Sequence, residues 1–324
     1  MYGEGKTRGQ ISELLIPSAT NQACAGILLF NVDCKKYVKY FLTGNYWHLR
    51  ELAEGGNQPN LNLSKIASLQ LPLPPIEEQI RIVEAIDSFF KSIEVLEEAS
   101  GELEKCISDG KSKILELAMQ GKLVPQDPAD EPAADMLRRI NPKAEIITDN
   151  PHCGNIPNSW IYCRLAEVTN IIMGQSPSGE SVNNIEGIEF HQGKLFFGEK
   201  WIRESSQYTT NPSKLAKPFD ILLCVRAPVG VVNFTQRQIC IGRGLSAISV
   251  NNSLINKDYA FYQLLSLKEY YEENATGSTF LAISGETVKN TPFSLPPLNE
   301  QKKIVAKIEE LFEVLDTIKA SLQS

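Results

Sequence analysis

The run Leu73-Pro74-Pro75-Ile76-Glu77-Glu78-Gln79-Ile80-Arg81-Ile82-Val83 returns 222 residues later as Leu295-Pro296-Pro297-Leu298-Asn299-Glu300-Gln301-Lys302-Lys303-Ile304-Val305. The offset holds outward from both blocks without a gap: Tyr37 falls on Tyr259, Tyr40 on Tyr262, Leu42 on Leu264, Gly55 on Gly277, Ile86 on Ile308 and Phe90 on Phe312. One register kept over that distance marks two related halves. Each Pro-Pro pair opens a helix: proline suits a first turn, whose N–H groups lack helical partners, and Glu/Gln behind it favours the positive end of the dipole. Behind the first pair, Ile82, Ile86, Phe89, Ile93, Leu96, Ser100, Leu103, Ile107, Gly110, Ile114 and Leu117 follow at alternating spacings of four and three. Behind the second, Ile304, Ile308, Leu311, Leu315, Ile318 and Leu322 do the same. A sustained 3.5-residue period predicts a coiled-coil seam. The first helix, read from Ile76 to Gln120, would reach roughly 65 Å at about 1.5 Å per residue.

Outward from these helices the pattern changes. The first helix stops at Gly121, and the Pro/Asp stretch from Val124 to Pro132 reads as a linker. A short helix is expected over Ala133 to Ile140. From Ile156 to about Pro292 come short apolar runs such as Ile221-Leu222-Leu223-Cys224-Val225 and Ile239-Cys240-Ile241, punctuated by Gly and Pro, which predict strands. One clear helix is expected there, about Lys257 to Asn274. The chain therefore divides into 1–75, the C-terminal half of a first β-rich domain; 76–122, the long central helix; 123–155, a linker; 156–294, the second domain; and 295–324, the second helix. By the offset Gly3 corresponds to Val225, so the first domain is expected to lack its front half.

Composition excludes several classes. The 324 residues (36.0 kDa) are 42% hydrophobic with mean hydropathy -0.18, and no apolar run approaches the length of a membrane-spanning helix. Met1 is followed by Gly3, Glu4, Gly5 and Lys6 rather than an apolar signal segment. The seven cysteines are odd in number and form no Cys-x-x-Cys. Of the histidines only His152 adjoins a cysteine, Cys153. Reduced thiols in a cytoplasmic protein are expected, not a zinc site. An adenine methyltransferase would need an Asn/Asp-Pro-Pro-aromatic loop, and Asn141-Pro142, Asn150-Pro151 and Asn211-Pro212 do not continue so. Pro218-Phe219-Asp220 lacks the second carboxylate of a metal-dependent nuclease. Gly3-Glu4-Gly5-Lys6-Thr7 ends like a phosphate-binding loop but has no strand or further glycine before it.

Taken together, the two helix openings, the heptads behind them, the start Ile156-Pro157-Asn158-Ser159-Trp160, the turn Gly174-Gln175-Ser176-Pro177-Ser178-Gly179 and the exit Gln120-Gly121-Lys122-Leu123-Val124-Pro125 resemble the specificity (S) subunit of type I restriction-modification systems. The resemblance covers essentially the whole chain. It implies an α/β (α+β) fold: two β-rich target-recognition domains, the first incomplete, separated by long antiparallel coiled-coil helices. It further implies a non-catalytic subunit that reads a split site in double-stranded DNA and docks the methylation (M) and restriction (R) subunits through its helices. S-adenosylmethionine, ATP and Mg are then expected only in those partners, with no cofactor in this chain and no membrane. Against the pattern, the first domain lacks its front half and the second helix is shorter than the first. A chain truncated at its N-terminus, a silent cassette acting as a coiled-coil scaffold, and a half-length subunit that self-associates are the alternatives this leaves open.

The formal charge of -7 at first argues against nucleic acid. By segment it does not. Residues 76–156 carry -8 and residues 295–324 carry -1, whereas 1–75 carry +2 and 157–294 are neutral, with +5 concentrated in 190–250. The acids belong to the helices, and the β-rich region holds a basic stretch interleaved with Phe196, Phe197, Trp201, Tyr208 and glutamines 192, 207, 236 and 238. Arg and Gln can pair bidentately with guanine and adenine edges, and Lys mostly holds phosphates. DNA-contact candidates are thus Gln175, Ser176, Lys194, Lys200, Arg203, Arg226, Arg237 and Arg243 in the second domain. In the first they are Lys6, Arg8, Asn21 and Gln22. Partner-docking candidates on the helix faces are Glu78, Gln79, Arg81 and the matching Glu300, Gln301 and Lys303.

Overall fold

A computed structural model describes residues 1, 3, 7–52, 61–147, 156–277 and 281–323. Its contacts divide the chain into two units, Met1–Glu102 and Leu103–Ser324. The elements in chain order are α1 (Lys35–Gly44), α2 (Tyr46–Glu51), α3 (Leu63–Ala67), α4 (Ile76–Met119), α5 (Ala133–Ile140), β1 (Ile146–Ile147), β2 (Ile161–Arg164), α6 (Leu165–Val168), β3 (Thr169–Met173), β4 (Val182–Asn183), β5 (Ile188–His191) and β6 (Tyr208–Thr209). There follow β7 (Leu215–Ala216), β8 (Ile221–Cys224), β9 (Val232–Phe234), β10 (Ile239–Ile241), β11 (Leu245–Val250), α7 (Lys257–Ser266), α8 (Lys268–Glu273), α9 (Gly285–Lys289), β12 (Pro292–Leu295) and α10 (Leu298–Gln323). The expected long helix is one continuous element. The helix expected over Lys257 to Asn274 is broken at Leu267 into α7 and α8.

In the first unit Tyr37, Val38 and Leu42 of α1 pack with Ile11, Leu29, Leu71 and the first turns of α4 at Ile82 and Val83. Lys36 Nζ and Tyr40 OH both donate to the Asp87 carboxylate. The β-rich expectation fails here: the described residues of this unit form helices and extended segments but no strand. Two backbone bonds, Ala25 N to Met1 O and Gly3 N to Ala23 O at 2.8 Å each, tie the extended pieces. In the second unit the corresponding segment, β11, pairs with β3, whose residues have no counterpart at the 222-residue offset.

The repeat is visible atom by atom. Tyr37 OH donates to Pro72 O at 2.8 Å and Tyr259 OH to Ser294 O at 3.0 Å. Gln79 Nε2 donates to Pro74 O at 2.8 Å and Gln301 Nε2 to Pro296 O at 2.9 Å. Leu61 N donates to Gly3 O at 2.8 Å and Ile283 N to Val225 O at 3.0 Å, so the register extends back to Gly3. Asn62 caps α3 as Ser284 caps α9.

In the second unit the described strands form three sheets, ordered β1-β2-β12, β4-β6-β5-β10-β7 and β3-β11-β8-β9. Central β8 is buried on both faces, as the unbroken apolar run Ile221 to Val225 predicts. Because side chains alternate, Ile221 and Leu223 enter the main core with Phe234, Phe261 and Phe293, while Leu222 and Cys224 enter a second core with Ile239, Ile241 and Ala247. Phe234 stacks on Phe261 with centroids 4.8 Å apart and seats α7 on the sheet.

The end of α4 runs antiparallel to α10. Glu104 meets Lys319 at 3.2 Å and Lys111 meets Asp316 at 2.6 Å, while Leu115 and Ala118 share the core with Ile304 and Ile308. A Cβ at Gly110 would lie 3.5 Å from Leu315 Cδ1, so the missing side chain lets the helices close. Within the first unit the heptad positions Phe89, Ile93 and Leu96 are exposed.

The segment expected as a linker is partly built into the second unit. Ala133, Met136 and Leu137 of α5 are buried in its core, Ala133 N donates to Ser159 O at 3.0 Å, and β1 pairs with β2. The polar, Pro-rich composition there masks three apolar residues on one face of α5.

Lys200 joins this core to its helices. Its Nζ lies 2.9 Å from Glu309 on α10 and 3.0 Å from Asp258 on α7, and 5.2 Å from the centroid of Tyr262. Burial would lower the ammonium's pKa, but the bonds to Glu309 and Asp258 outweigh it and raise it. Lys200→Met leaves two acids facing each other without their cation. The expected loss is about 2 kcal/mol, below the roughly 3–5 kcal/mol of a fully buried pair because the site is partly open to water. Calorimetry should read a fall in Tm of roughly 4–8 °C.

Candidate nucleic-acid interface

Four loops of the second unit converge at the ends of its strands. The first is Gly174 to Ser176 after β3, and the second Gln192 to Lys194 after β5. The third, Arg226 to Pro228, follows β8, and the fourth, Gly242 to Gly244, joins β10 to β11. Glycine lets them touch. A Cβ on Gly174 would stand 2.2 Å from Gly242 O, and one on Gly244 would stand 2.2 Å from Gln192 O, so any larger residue would push the loops apart. Between them lies a cleft of about 190 Å³, lined by Gln192, Lys194, Cys224, Arg226, Pro228 and Gly244. Burial pushes the Cys224 thiol up to about 12, against the opposing charge of Lys194, so the floor is an uncharged thiol.

The cations around this cleft are exposed and unengaged. Among the described residues the side chains of Lys194, Arg226 and Arg243 make no ion pair or hydrogen bond. Gln175 is exposed beside them, and Ser176 Oγ accepts a long 3.5 Å bond from Arg243 N. A larger cleft of about 400 Å³ lies elsewhere in this unit, but Asp220 and Asp258 line it with Lys257 and Lys302.

Three sequence candidates in this domain serve other ends. Lys200 is the internal cation described above. Arg237 is clamped to Glu189 through Nε at 2.5 Å and Nη2 at 2.6 Å, and its Nη2 also donates to Arg203 O at 3.0 Å. Arg203 is exposed, with one 3.5 Å bond to Phe197 O. Charge and loop position made Lys200 and Arg237 resemble DNA contacts, but neither guanidinium nor ammonium is free to leave its acid.

In the first unit Asn21 and Gln22 are exposed, with Asn21 Oδ1 accepting Ala23 N at 3.1 Å, so the Asn21 side chain shapes its own turn. Arg8 O accepts from Arg50 Nη1 at 3.1 Å. Lys6, and with it most of the Gly3-to-Thr7 motif, lies outside the described residues, as do His152 and Cys153.

The docking candidates divide sharply. Glu78 and Arg81 are exposed, whereas Gln79 is 4%, Glu300 1% and Gln301 0% exposed. Glu300 accepts from Trp160 Nε1 at 2.9 Å and Gln126 Nε2 at 3.0 Å. Gln301 Nε2 donates to Leu254 O and Pro296 O, and its Oε1 accepts Asn256 N at 2.7 Å. Lys303 pairs with Asp127 at 3.5 Å and Asp130 at 3.7 Å. The helix openings are internal joints rather than polar faces. The Glu-Gln pair looks solvent-directed in sequence because the groups that bind it come from residues 126, 160, 254 and 256.

Sequence reasoning passed over one member of the cleft, Gln192, and the loop-spacing role of Gly174 and Gly244. The Gln192-Gly193 and Gly242-Arg243-Gly244 runs, each following a β run, were the available signal.

His191, the last residue of β5, is 1% exposed, with Nε2 donating to Glu189 Oε1 at 2.7 Å and Nδ1 unpartnered among the described residues. Burial pulls its pKa below the ordinary value of 6.5, against the pull of Glu189, so the ring is neutral in the fold. For Glu189, burial raises the carboxyl, but the bonds from Arg237, Ser205 N–H and His191 outweigh it and hold it low. The unfolded histidine takes up its proton first as pH falls through about 6.5, which favours unfolding. Glu189 adds a further loss only below its unfolded value of 4.5. The second unit should therefore lose thermal stability between pH 7 and 5.5. His191→Gln should flatten the Tm profile over that window, which a pH series by calorimetry reads directly.

Comparison with known proteins gives one consistent result. The family model for the type I restriction modification DNA specificity domain matches residues 6–105 and again 157–324, which are the two halves of the repeat. The inferred specificity subunit of the MjaX type I restriction enzyme of Methanocaldococcus jannaschii is 32% identical over 271 residues, 80% of this chain and 56% of that protein. The EcoEI specificity subunit of Escherichia coli is 31% identical over 252 residues, 66% of this chain and 42% of that protein. The chain thus spans about half the length of these relatives. A solved chain described under complex assembly and conformational transition of the type I R-M system superposes with TM-score 0.61 at 28% identity, covering 89% of this chain and 66% of its own. Among the described residues no helix is long and apolar enough to cross a membrane.

Proposed function

As the chain belongs to the type I restriction-modification DNA specificity family, we propose that it is a sequence-reading subunit, itself non-catalytic, that binds double-stranded DNA through the cleft loops of its second unit. The observation that carries the reading is the convergence of Lys194, Arg226 and Arg243, exposed and without internal partners, around one cleft. Cations that stabilise a fold are paired, as Lys200 and Arg237 are here. Cations left unpaired at one place cost self-repulsion and suit a polyanion. Methylation and cleavage, with S-adenosylmethionine, ATP and Mg, then belong to partner subunits working with this chain in the cytoplasm.

Arg226→Ala with Arg243→Ala should weaken DNA binding by the assembled complex and reduce the slope of log K against log salt by about two, roughly 0.9 per lost phosphate contact. Wild-type affinity across the salt series removes both residues from the interface. Methylome sequencing of a host with and without the gene should show one split motif that depends on it.

The helices are the proposed seat of the methylation and restriction subunits. Glu78 and Arg81 are the two helix-opening candidates that remain exposed without a recorded internal bond. Reversing both, Glu78→Lys with Arg81→Glu, should reduce capture of the methylation subunit without changing the Tm of the chain. Equal capture at an equal Tm assigns the docking elsewhere.

A further inference from the structure

The residues around the cleft differ in how their backbones are held. Arg226 sits on a pinned stretch: Val225 N donates to Gly244 O at 2.9 Å, Ala227 N donates to Leu281 O at 2.9 Å, and Val225 O accepts Ile283 N at 3.0 Å. Peptide groups on both sides of the arginine are thus fixed while its guanidinium is free. Gln192 is held in the same way. The preceding carbonyl, His191 O, accepts Gly242 N at 2.8 Å, and Gly244 lies directly on the Gln192 carbonyl. Both side chains line the cleft, and neither makes a hydrogen bond among the described residues.

A side chain that reads a base edge needs a rigid root and uncommitted donors, because a bidentate pair tolerates little displacement. A guanidinium offers two parallel N–H groups to guanine O6 and N7. A carboxamide offers one donor and one acceptor to adenine N7 and N6. Arg243 lies instead at an exposed loop tip between two glycines and outside the cleft lining. Lys194 is a point charge with no planar fork, suited to a phosphate.

The geometry points to a division of labour within one half-site: Arg226 and Gln192 specify a guanine and an adenine, and Lys194 and Arg243 hold the flanking phosphates. The inference rests on the DNA-binding reading above.

The test uses the full chain assembled with its methylation subunits. It reads the methylated motif by sequencing and the affinity for a duplex carrying that motif over a salt series. Arg226→Lys, which keeps the charge but loses the fork, should retain most affinity and relax the motif at one G·C pair by roughly ten-fold or more. Gln192→Ala should relax one A·T pair with the salt slope unchanged. Lys194→Ala and Arg243→Ala should each lower affinity evenly, leave the motif intact and reduce the salt slope by about one. All four side chains are exposed and unpaired, so wild-type Tm values are expected and serve as the folding control. If the wild-type assembly binds and methylates a motif that Arg226→Lys and Gln192→Ala leave unchanged, the division of labour is wrong and the DNA reading stands. If the wild-type assembly binds no duplex, the reading itself fails, and the inference with it.

Discussion

The second unit hangs on the corner where β12 turns into α10. Gln301 is fully buried and ties that corner to two carbonyls and to the amide that starts α7, while Glu300 beside it collects Trp160 and Gln126. A buried carboxylate is costly unless it is hydrogen-bonded, and at the first turn of α10 it also gains from the helix dipole. The joint therefore forms only when the start of the domain, the segment leaving α4 and the opening of α10 are together. Antiparallel packing of α4 on α10, the seating of α5 and the placement of the strands above α7 all depend on that arrangement. The cleft loops inherit their rigidity from it.

The two copies solve one electrostatic problem differently. In the second, Asp258 and Glu309 share the cation of Lys200, which comes from the β-rich part of the domain. In the first, the position matching Asp258 is Lys36, and it bonds directly to Asp87, the match of Glu309. The cation has moved from the partner element onto the helix itself. The tyrosine is kept in both, bonding the same helix acid from Tyr40 and, at 3.4 Å, from Tyr262. A repeat can thus hold its backbone bonds constant while exchanging the signs of its charges.

The candidate site was only partly legible for a related reason. A basic residue in a Gly/Pro loop looks the same whether or not an acid waits for it. Arg226 and Arg243 are free, while Arg237 is held by Glu189, 48 residues earlier in the chain, and Lys200 by acids 58 and 109 residues later. Segment charge located the basic region correctly but could not say which cations were already neutralised. Likewise Glu300 and Gln301 sit where a heptad reading places solvent-facing polar residues, yet their side chains bind groups from four other segments. The short apolar stripe of α5 was hidden by the prolines and acids around it.

What the linear pattern determined was everything that depends on spacing: two copies at a constant offset, helices opened by Pro-Pro, a 44-residue helix with a 3.5-residue seam, and buried strands read from unbroken apolar runs. These follow from local sterics and periodicity, which a chain carries wherever it folds. Tertiary structure alone decided which polar groups face inward, which segment counts as linker, and which of eight candidate side chains around the second domain remain free. Those outcomes turn on pairings between residues far apart in sequence, and a charge or an amide has no fixed role until its partner is in place.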